Sequence, residues 1–346
     1  MQSRFRFSLA SSRLWKALST SPQSALFLGS DEFSSKVLRN VHLRKIFPSI
    51  KVVCPSSGQR VHNKKVANKF RRDAKELNLP TIDWKGNDSL LLDVENIDLA
   101  IVASFGHKLS KSLIEKFPYG IINIHPSLLP RWRGAAPLQH TIMSGDTKTG
   151  VSLVKIEDEK FDRGRILIQK SIQIDSEVTY AKLRDTLALM GSELLIEIMG
   201  NFDWFSANAK TQENQAGTLA KKISKEAGFI DFDDSVLIDR KFRALGHDPG
   251  IYVQRNETRI KLTSLSHVPD DETCPECAEL TAGESLHRRD WNWIYTKCNK
   301  GGLRIEKIQM PFKAPVWAKD FANAYMQRIS NQWKSLKFYP IQTYYY

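Results

Sequence analysis

Apolar residues occur in short continuous runs along the first half of the chain, at 25–28, 52–54, 99–103 and 121–124, each followed by a helical or loop segment. Runs of that length, bounded by polar residues, suit strands covered on both faces, as in a parallel sheet built from alternating strands and helices. Helices are expected over 34–41, 64–77 and 108–117, the last with Leu109, Leu113 and Phe117 on one face. Runs at 151–156 and 165–174 extend the sheet, and apolar residues at helical spacing predict a helix over 179–199. The pattern predicts an α/β domain over 25–204, with a mostly parallel sheet and helices on both of its faces.

The pattern changes afterwards. Residues 205–218, FSANAKTQENQAGT, are small and polar without periodicity and read as a linker. Beyond them the segments IYVQ, RIKLTSL, WNWIYTKC and LRIEKIQM are short and alternating, which predicts a smaller β-rich, barrel-like domain over 219–346. No internal repeat is present. A length of 346 residues suits two cores.

Charge adds a partner class. With 51 Lys and Arg against 38 Asp and Glu, the net charge of +13 favours a polyanion. No apolar run approaches the ~18 residues of a membrane-spanning helix. The first 24 residues carry Arg4, Arg6, Arg13 and Lys16, and no acidic residue precedes Asp31. Phe5, Leu9, Leu14 and Leu18 recur at roughly helical spacing, so 1–24 reads as an organelle transit peptide, with a basic disordered tail as the alternative. Cys54, Cys274, Cys277 and Cys298 are too few and too unevenly placed for a disulfide scaffold, and free thiols are expected.

Candidate chemistry concentrates in the segment from Gly120 to Pro137, GIINIHPSLLPRWRGAAP. Asn123 and His125 stand two apart at the end of an apolar run, a spacing that directs both side chains to one face of a strand. Pro126 and Pro130 stop that strand, which puts the pair at the carboxyl edge of the sheet, where open α/β folds bind ligands. Acyl transfer to an amine needs donors for the developing oxyanion, a proton acceptor and exclusion of water. Asn123 supplies a donor, His125 a donor or proton relay, and Asp162 a carboxylate expected beside the histidine to orient it and raise its pKa. From the residues alone, a structural histidine, a turn-capping asparagine and a bend-forming aspartate remain open and are the commoner uses of such residues. The segment Gly29-Ser-Asp-Glu-Phe33 lacks the GxGxxG of a nicotinamide-binding oxidoreductase.

Asn123-x-His125 followed by Ser127-Leu-Leu-Pro130, then Gly150-Val-Ser-Leu and Phe161-Asp-x-Gly164, resembles the formyltransferases that use 10-formyltetrahydrofolate. The run SLLPRWRGAAP is similar to those acting on methionyl-tRNA, and ALFLGSDEFSSKVL, VASFGHKLS and LAKKISKEAGFIDF fit the same family. The resemblance covers most of residues 24–325. It implies a Rossmann-like catalytic domain, a tRNA-binding second domain, and a reaction in mitochondria on initiator methionyl-tRNA with the folate as donor. A metal-free monomer acting in the matrix is the corresponding expectation. Asn123, His125 and Asp162 become the catalytic trio, Ser127, Leu128, Leu129 and Pro130 line the folate site, and Phe105 and Gly106 line the pterin pocket. Rival readings are a formyltransferase acting on a nucleotide or amino sugar, and a non-catalytic RNA-binding protein.

Candidate tRNA contacts come from basic clusters. Arg60, Lys64, Lys65, Lys69, Arg71 and Arg72 form the densest, followed by Lys221, Lys222 and Lys225, while Arg131 and Arg133 adjoin the catalytic strand. The first two clusters have solvation of a surface as their alternative, and Arg131 and Arg133 have the folate's glutamate, the terminal nucleotide or acidic neighbours as theirs. Cys274-Pro-Glu-Cys277 lies in an insertion, and a single C-x-x-C with Cys298 and His267 or His287 is a weak zinc signature.

Overall fold

The computed structural model describes residues 21–341 except 56–58, 62–63, 67–68, 93, 159–160 and 214–216, and it leaves the side chains of 59–61, 64–66 and 89–90 undescribed. The expected leader, up to residue 20, and the tail Tyr344 to Tyr346 lie outside the described residues. The chain forms two compact units. The first holds the chain up to Pro137, Lys148–Ile174 and Ala181–Lys221, and the second holds Leu138–Thr147, Asp175–Tyr180 and the chain from Lys222.

Strands of the first unit are β1 (Ser24–Gly29), β2 (Ser49–Pro55), β3 (Gln59–Val61), β4 (Lys64–Val66), β5 (Thr81–Trp84), β6 (Leu99–Ala103), β7 (Ile121–His125), β8 (Arg133–Gly134), β9 (Lys148–Ile156), β10 (Ile166–Gln173) and β11 (Leu219–Ala220). Seven form one sheet in the order β10-β9-β7-β6-β1-β2-β5. β7, β6, β1, β2 and β5 run parallel, and β9 and β10 are antiparallel additions at one edge. Every residue of β1 and β6 is buried, as central parallel strands covered on both faces require. Leu26 and Leu28 join a cluster with Trp84, Val102, Phe105 and Leu113 on one side, while Phe27 meets Phe70 of the helix Lys69–Glu76. The order reverses between β1 and β6, so a ligand crevice is expected outside their carboxyl ends, next to the end of β7.

Two helix expectations change. In 64–77 the first part is strand, because β4 pairs antiparallel with β3 in a hairpin, and the helix is confined to Lys69–Glu76. In 108–117 only Lys111–Ile114 is helical; Ser110 caps it, its hydroxyl accepting the Leu113 N–H at 3.3 Å, and the chain then turns at Gly120 with φ +78°. The expected helix over 179–199 forms as Tyr180–Met199, with Leu187, Leu194 and Ile198 buried. Residues expected as featureless linker are structured in part, with a helix over Phe202–Ala207 and a buried Gln212.

The second unit contains β12 (Ile251–Arg255), β13 (Thr258–Val268), β14 (Glu284–Arg288), β15 (Ile294–Lys297), β16 (Gly302–Gln309), β17 (Val316–Trp317), β18 (Gln327–Arg328) and β19 (Trp333–Lys337). They build an antiparallel sheet in the order β12-β13-β16-β15-β14-β19-β18, with β17 against β16. The sheet curls far enough that Gln254 of β12 exchanges backbone hydrogen bonds of 2.8 and 2.7 Å with Tyr339, just beyond β19. Val253, Ile260, Leu262, Leu303 and Ile305 are fully buried, the inward positions of the alternating pattern. The helix Ser235–Leu245 begins at Asp234, whose carboxylate accepts the N–H groups of Val236 and Leu237.

Candidate active site

Three sequence-distant segments meet at the carboxyl end of β7. Asn123 Nδ2 donates to Asp162 Oδ1 at 2.8 Å, and His125 Nδ1 lies 3.4 Å from the same oxygen. The Gly134 N–H donates to the other carboxylate oxygen at 2.9 Å. One carboxylate thus holds an amide and a main-chain donor and lies beside an imidazole. His125 Nε2 is 2.9 Å from the Trp132 carbonyl, which only accepts, so a proton resides on Nε2 and the Nδ1 edge faces Asp162. Asn123 Nδ2 uses one of its two hydrogens on Asp162 and keeps a second to offer. The His125 and Asp162 side chains are 5% and 8% exposed, so a charge formed among them is poorly screened.

The turn that delivers Asp162 is held from behind. Asp162 adopts φ +55°, and Gln212 Nε2 donates to the carbonyls of Asp162 and Gly164 at 2.9 and 2.8 Å. A β-carbon at Gly164 would stand 1.7 Å from the Lys155 carbonyl oxygen, so only glycine closes this turn. Ser104 and Trp132, at φ +48° and +59°, also occupy left-handed backbone at this edge; such residues cost about 1 kcal/mol or more each and cluster at functional sites. Asp31, the cap of the helix Glu32–Leu43 at the end of β1, accepts the Ser34 N–H at 3.0 Å, and burial raises its pKa.

The loop after His125 is tightly tied. Ser152 Oγ donates to the Ser127 carbonyl at 2.6 Å and accepts from Leu129 N at 3.0 Å and Gln169 Nε2 at 2.7 Å. Gln169 Nε2 also donates to the Leu129 carbonyl, and the Leu129–Pro130 peptide is cis. Ser127 donates its hydroxyl to the Arg131 carbonyl at 2.7 Å, so its side chain is spent on the loop; Leu128 and Pro130 are the half-buried members of the segment. The Phe105 ring packs edge-on against Trp84 at 5.3 Å and belongs to the core, while Gly106 is exposed at φ +73°.

Residues 27–199 match the formyl transferase model and residues 222–326 match the model of the formyl transferase C-terminal domain. The chain belongs to the formyl transferase family. It is an enzyme of one-carbon group transfer. The family includes the mitochondrial methionyl-tRNA formyltransferase of Homo sapiens, 31% identical over 88% of this chain and 78% of that protein. The methionyl-tRNA formyltransferase of Finegoldia magna is 28% identical over 86% of this chain and 95% of its own length. A sugar 3N-formyl transferase solved in the presence of dTDP and 5-N-formyl-THF shares the fold at a TM-score of 0.58 and 17% identity, over 84% of this chain and 98% of that one.

The basic candidates differ in exposure. Arg133 departs from the expectation of an accessible cation: it is 4% exposed, and its Nε and Nη2 donate to Gln212 Oε1 at 3.1 and 2.8 Å, so its guanidinium braces the site from within. Burial, then the nearby Arg163, lower its pKa, and Asp162 acts the other way. Arg71 pairs with Asp83 at 2.5 Å and Lys69 with Asp73 at 3.1 Å. Arg131 is exposed, its guanidinium 4.4 Å over the Trp132 ring, and Lys221, Lys222 and Lys225 are exposed. The side chains of Arg60, Lys64 and Lys65 lie outside the described residues, although their backbone forms the β3-β4 hairpin. Gln212 was not predicted, because a single polar residue in a polar, aperiodic stretch carries no signal of burial.

Proposed function

We propose that the enzyme transfers the formyl group of 10-formyltetrahydrofolate to the amino group of initiator methionyl-tRNA, for translation in mitochondria. The convergence of Asn123, His125 and Gly134 on Asp162 carries this reading, because it builds an oxyanion donor and a proton acceptor at one edge. The methionyl amine attacks the formyl carbon, and the second Nδ2 hydrogen of Asn123 stabilises the tetrahedral oxyanion. Asp162 and the Nδ1 edge of His125 take up the proton lost by the amine as the new C–N bond forms. The bond to folate N10 then breaks and that nitrogen regains a proton. The half-buried Leu128 and Pro130 contact the folate, with the backbone at Phe105 and Gly106 facing its pterin.

The acceptor assignment rests on the likeness to methionyl-tRNA formyltransferases and on the net charge of +13. The second unit supports it with a cation laid beside an exposed aromatic ring, Lys307 Nζ 4.0 Å over Trp317, a combination suited to stacking a base and meeting a phosphate. Arg60, Lys64, Lys65, Arg131, Lys221 and Lys222 are the cations assigned to the tRNA. The test offers labelled formyl donor with charged initiator tRNA and, separately, with amino sugars and nucleotide amines. Formylation of the tRNA alone is expected; transfer only to a small amine would move the reading to the sugar-modifying branch.

A further inference from the structure

We propose that Cys274 and Cys277 form a redox-active dithiol that closes reversibly to an intramolecular disulfide by exchange with a low-molecular-weight disulfide such as glutathione disulfide. Neither thiol is among the groups assigned to formyl transfer, and both lie in the insertion before β14. Their Sγ atoms are in direct contact at 2.6 Å. The turn that joins them is fixed by the N–H groups of Cys277 and Ala278, which donate to the Cys274 carbonyl at 2.9 and 3.0 Å. Upstream, the Thr273 hydroxyl lies 3.1 Å from the Pro269 carbonyl and 3.2 Å from the Tyr295 hydroxyl, and Asp270 binds Lys297 at 3.2 Å and the Gly301 N–H at 3.1 Å. The pair is therefore presented on an anchored segment, which removes most of the entropy cost of bringing two thiols together.

The two sulfurs differ in access, and that sets the order of events. Cys274 is half-buried, whereas Cys277 is fully buried against Leu286 and Tyr295. Burial, and then Cys274 itself, push the Cys277 thiol up, with Arg288 opposing. Cys274 thiolate attacks glutathione disulfide, forming a mixed disulfide and releasing one glutathione. Cys277, on losing its proton, attacks the Cys274 sulfur and expels the second glutathione. Two electrons pass from the protein dithiol to glutathione disulfide, and the two thiol protons end on the two glutathiones. A metal site is the competing use of a C-x-x-C. Among the described residues no group of three His, Cys, Asp or Glu side chains is arranged to hold a metal, and His267 and His287 engage the Ser235 hydroxyl and the Trp293 carbonyl. Cys54 and Cys298 are buried, their thiols pushed up to about 11 and about 12 by burial, and they serve as internal controls.

The full-length protein is equilibrated in glutathione buffers of graded ratio, acid-quenched, unfolded, alkylated and digested with trypsin, which leaves both cysteines on the fragment 262–288 and Cys298 on another. That fragment is expected to lose two alkylation sites together and to regain both in excess glutathione, while Cys54 and Cys298 stay alkylatable. Trp291, Trp293 and Trp333 pack in the same cluster as Cys277, so tryptophan emission is expected to fall with the same midpoint. Cys277→Ser is expected to stop at one stable glutathione adduct on Cys274, and Cys274→Ser to take up glutathione at least tenfold more slowly. Full alkylation of the wild-type fragment in excess glutathione disulfide would overturn the proposal. A wild-type protein that halts at the mixed disulfide, or that binds one zinc ion tightly enough to block oxidation, would do the same.

Discussion

The polar cluster at the end of β7 and the aromatic, cationic face of the second unit solve opposite problems. At β7 each polar atom has a partner that itself has a partner: Asn123 and His125 on Asp162, Asp162 and Gly164 on Gln212, Gln212 on Arg133. On the second unit the cation–ring pairs are more exposed and less tightly joined, although Trp293 also stacks on Trp291 and Arg259 also lies over Tyr252. Lys307 with Trp317, Arg304 with Trp293, and Arg259 at 4.7 Å over Phe229 share no common side chain, and Trp317 is 54% exposed. A buried network places a few atoms accurately and fails as a unit, because each lost partner strands another in a poorly screened setting. Exposed pairs are screened and replaceable, and their contributions add approximately. The contrast implies that substitutions near β7 act on kcat and those on the second unit act on tRNA affinity.

The largest effect tests the centre of the network. Asp162→Ala is expected to lower kcat on the order of 1,000-fold, because it releases an oxyanion donor and the histidine together. A folded variant retaining a tenth of the activity in an initial-rate formylation assay would remove Asp162 from the mechanism. Next is Gln212→Ala, which touches no reacting atom. Loss of its two donors to the Asp162 turn is expected to cost about 10-fold to 30-fold in kcat with little change in KM, since a carboxylate displaced by a fraction of an ångström still binds substrate. A change confined to the KM for tRNA would show Gln212 to belong with the binding surface.

The Trp317→Ala, Lys307→Ala double variant is expected to weaken tRNA binding about 10-fold, to make the salt dependence shallower and to leave single-turnover kcat unchanged, given about 1–3 kcal/mol per stacked base. Unaltered salt slopes would argue against that face. The smallest effect asks whether burial alone makes a charge indispensable. Asp73, 3% exposed, bonds Arg39 at 2.8 Å and Lys69 at 3.1 Å and is also held by the Ser35 hydroxyl. Burial disfavours its charge, but Arg39, Ser35 and Lys69 outweigh burial and lower its pKa. A lowered folded value means that its contribution is complete above the unfolded pKa near ~4 and is lost as pH falls through the folded value. Asp73→Asn is therefore expected to cost about 1 kcal/mol in urea unfolding at neutral pH, discounted for its half-exposed partners, and progressively less as pH falls below ~4, with part of the cost still present at pH 2. An equal loss at both pH values would assign the effect to packing.

Much of the first unit was readable from its pattern because parallel strands buried on both faces must be continuously apolar, and β6 forms over the predicted residues 99–103. The helix expected over 64–77 failed at its start because a hairpin offers residues 64–66 partners on residues 59–61, and such pairing leaves no local trace in a basic stretch. The curled second sheet was legible as alternation, but not its closure at Gln254 and Tyr339, a contact made across some 85 residues.

By itself the sequence determined the identity and spacing of Asn123 and His125, the edge at which they stand, the glycine that the Asp162 turn requires, and the excess of positive charge. All of these are local properties, set by side-chain periodicity, backbone preference and composition. Tertiary structure alone decided that Asn123 and His125 meet the same oxygen of Asp162, that Gln212 holds the turn, and that Arg133 braces the site from within. Those outcomes depend on where distant segments cross, and the free energy that selects a crossing comes from burying and pairing polar groups that no short window of sequence contains.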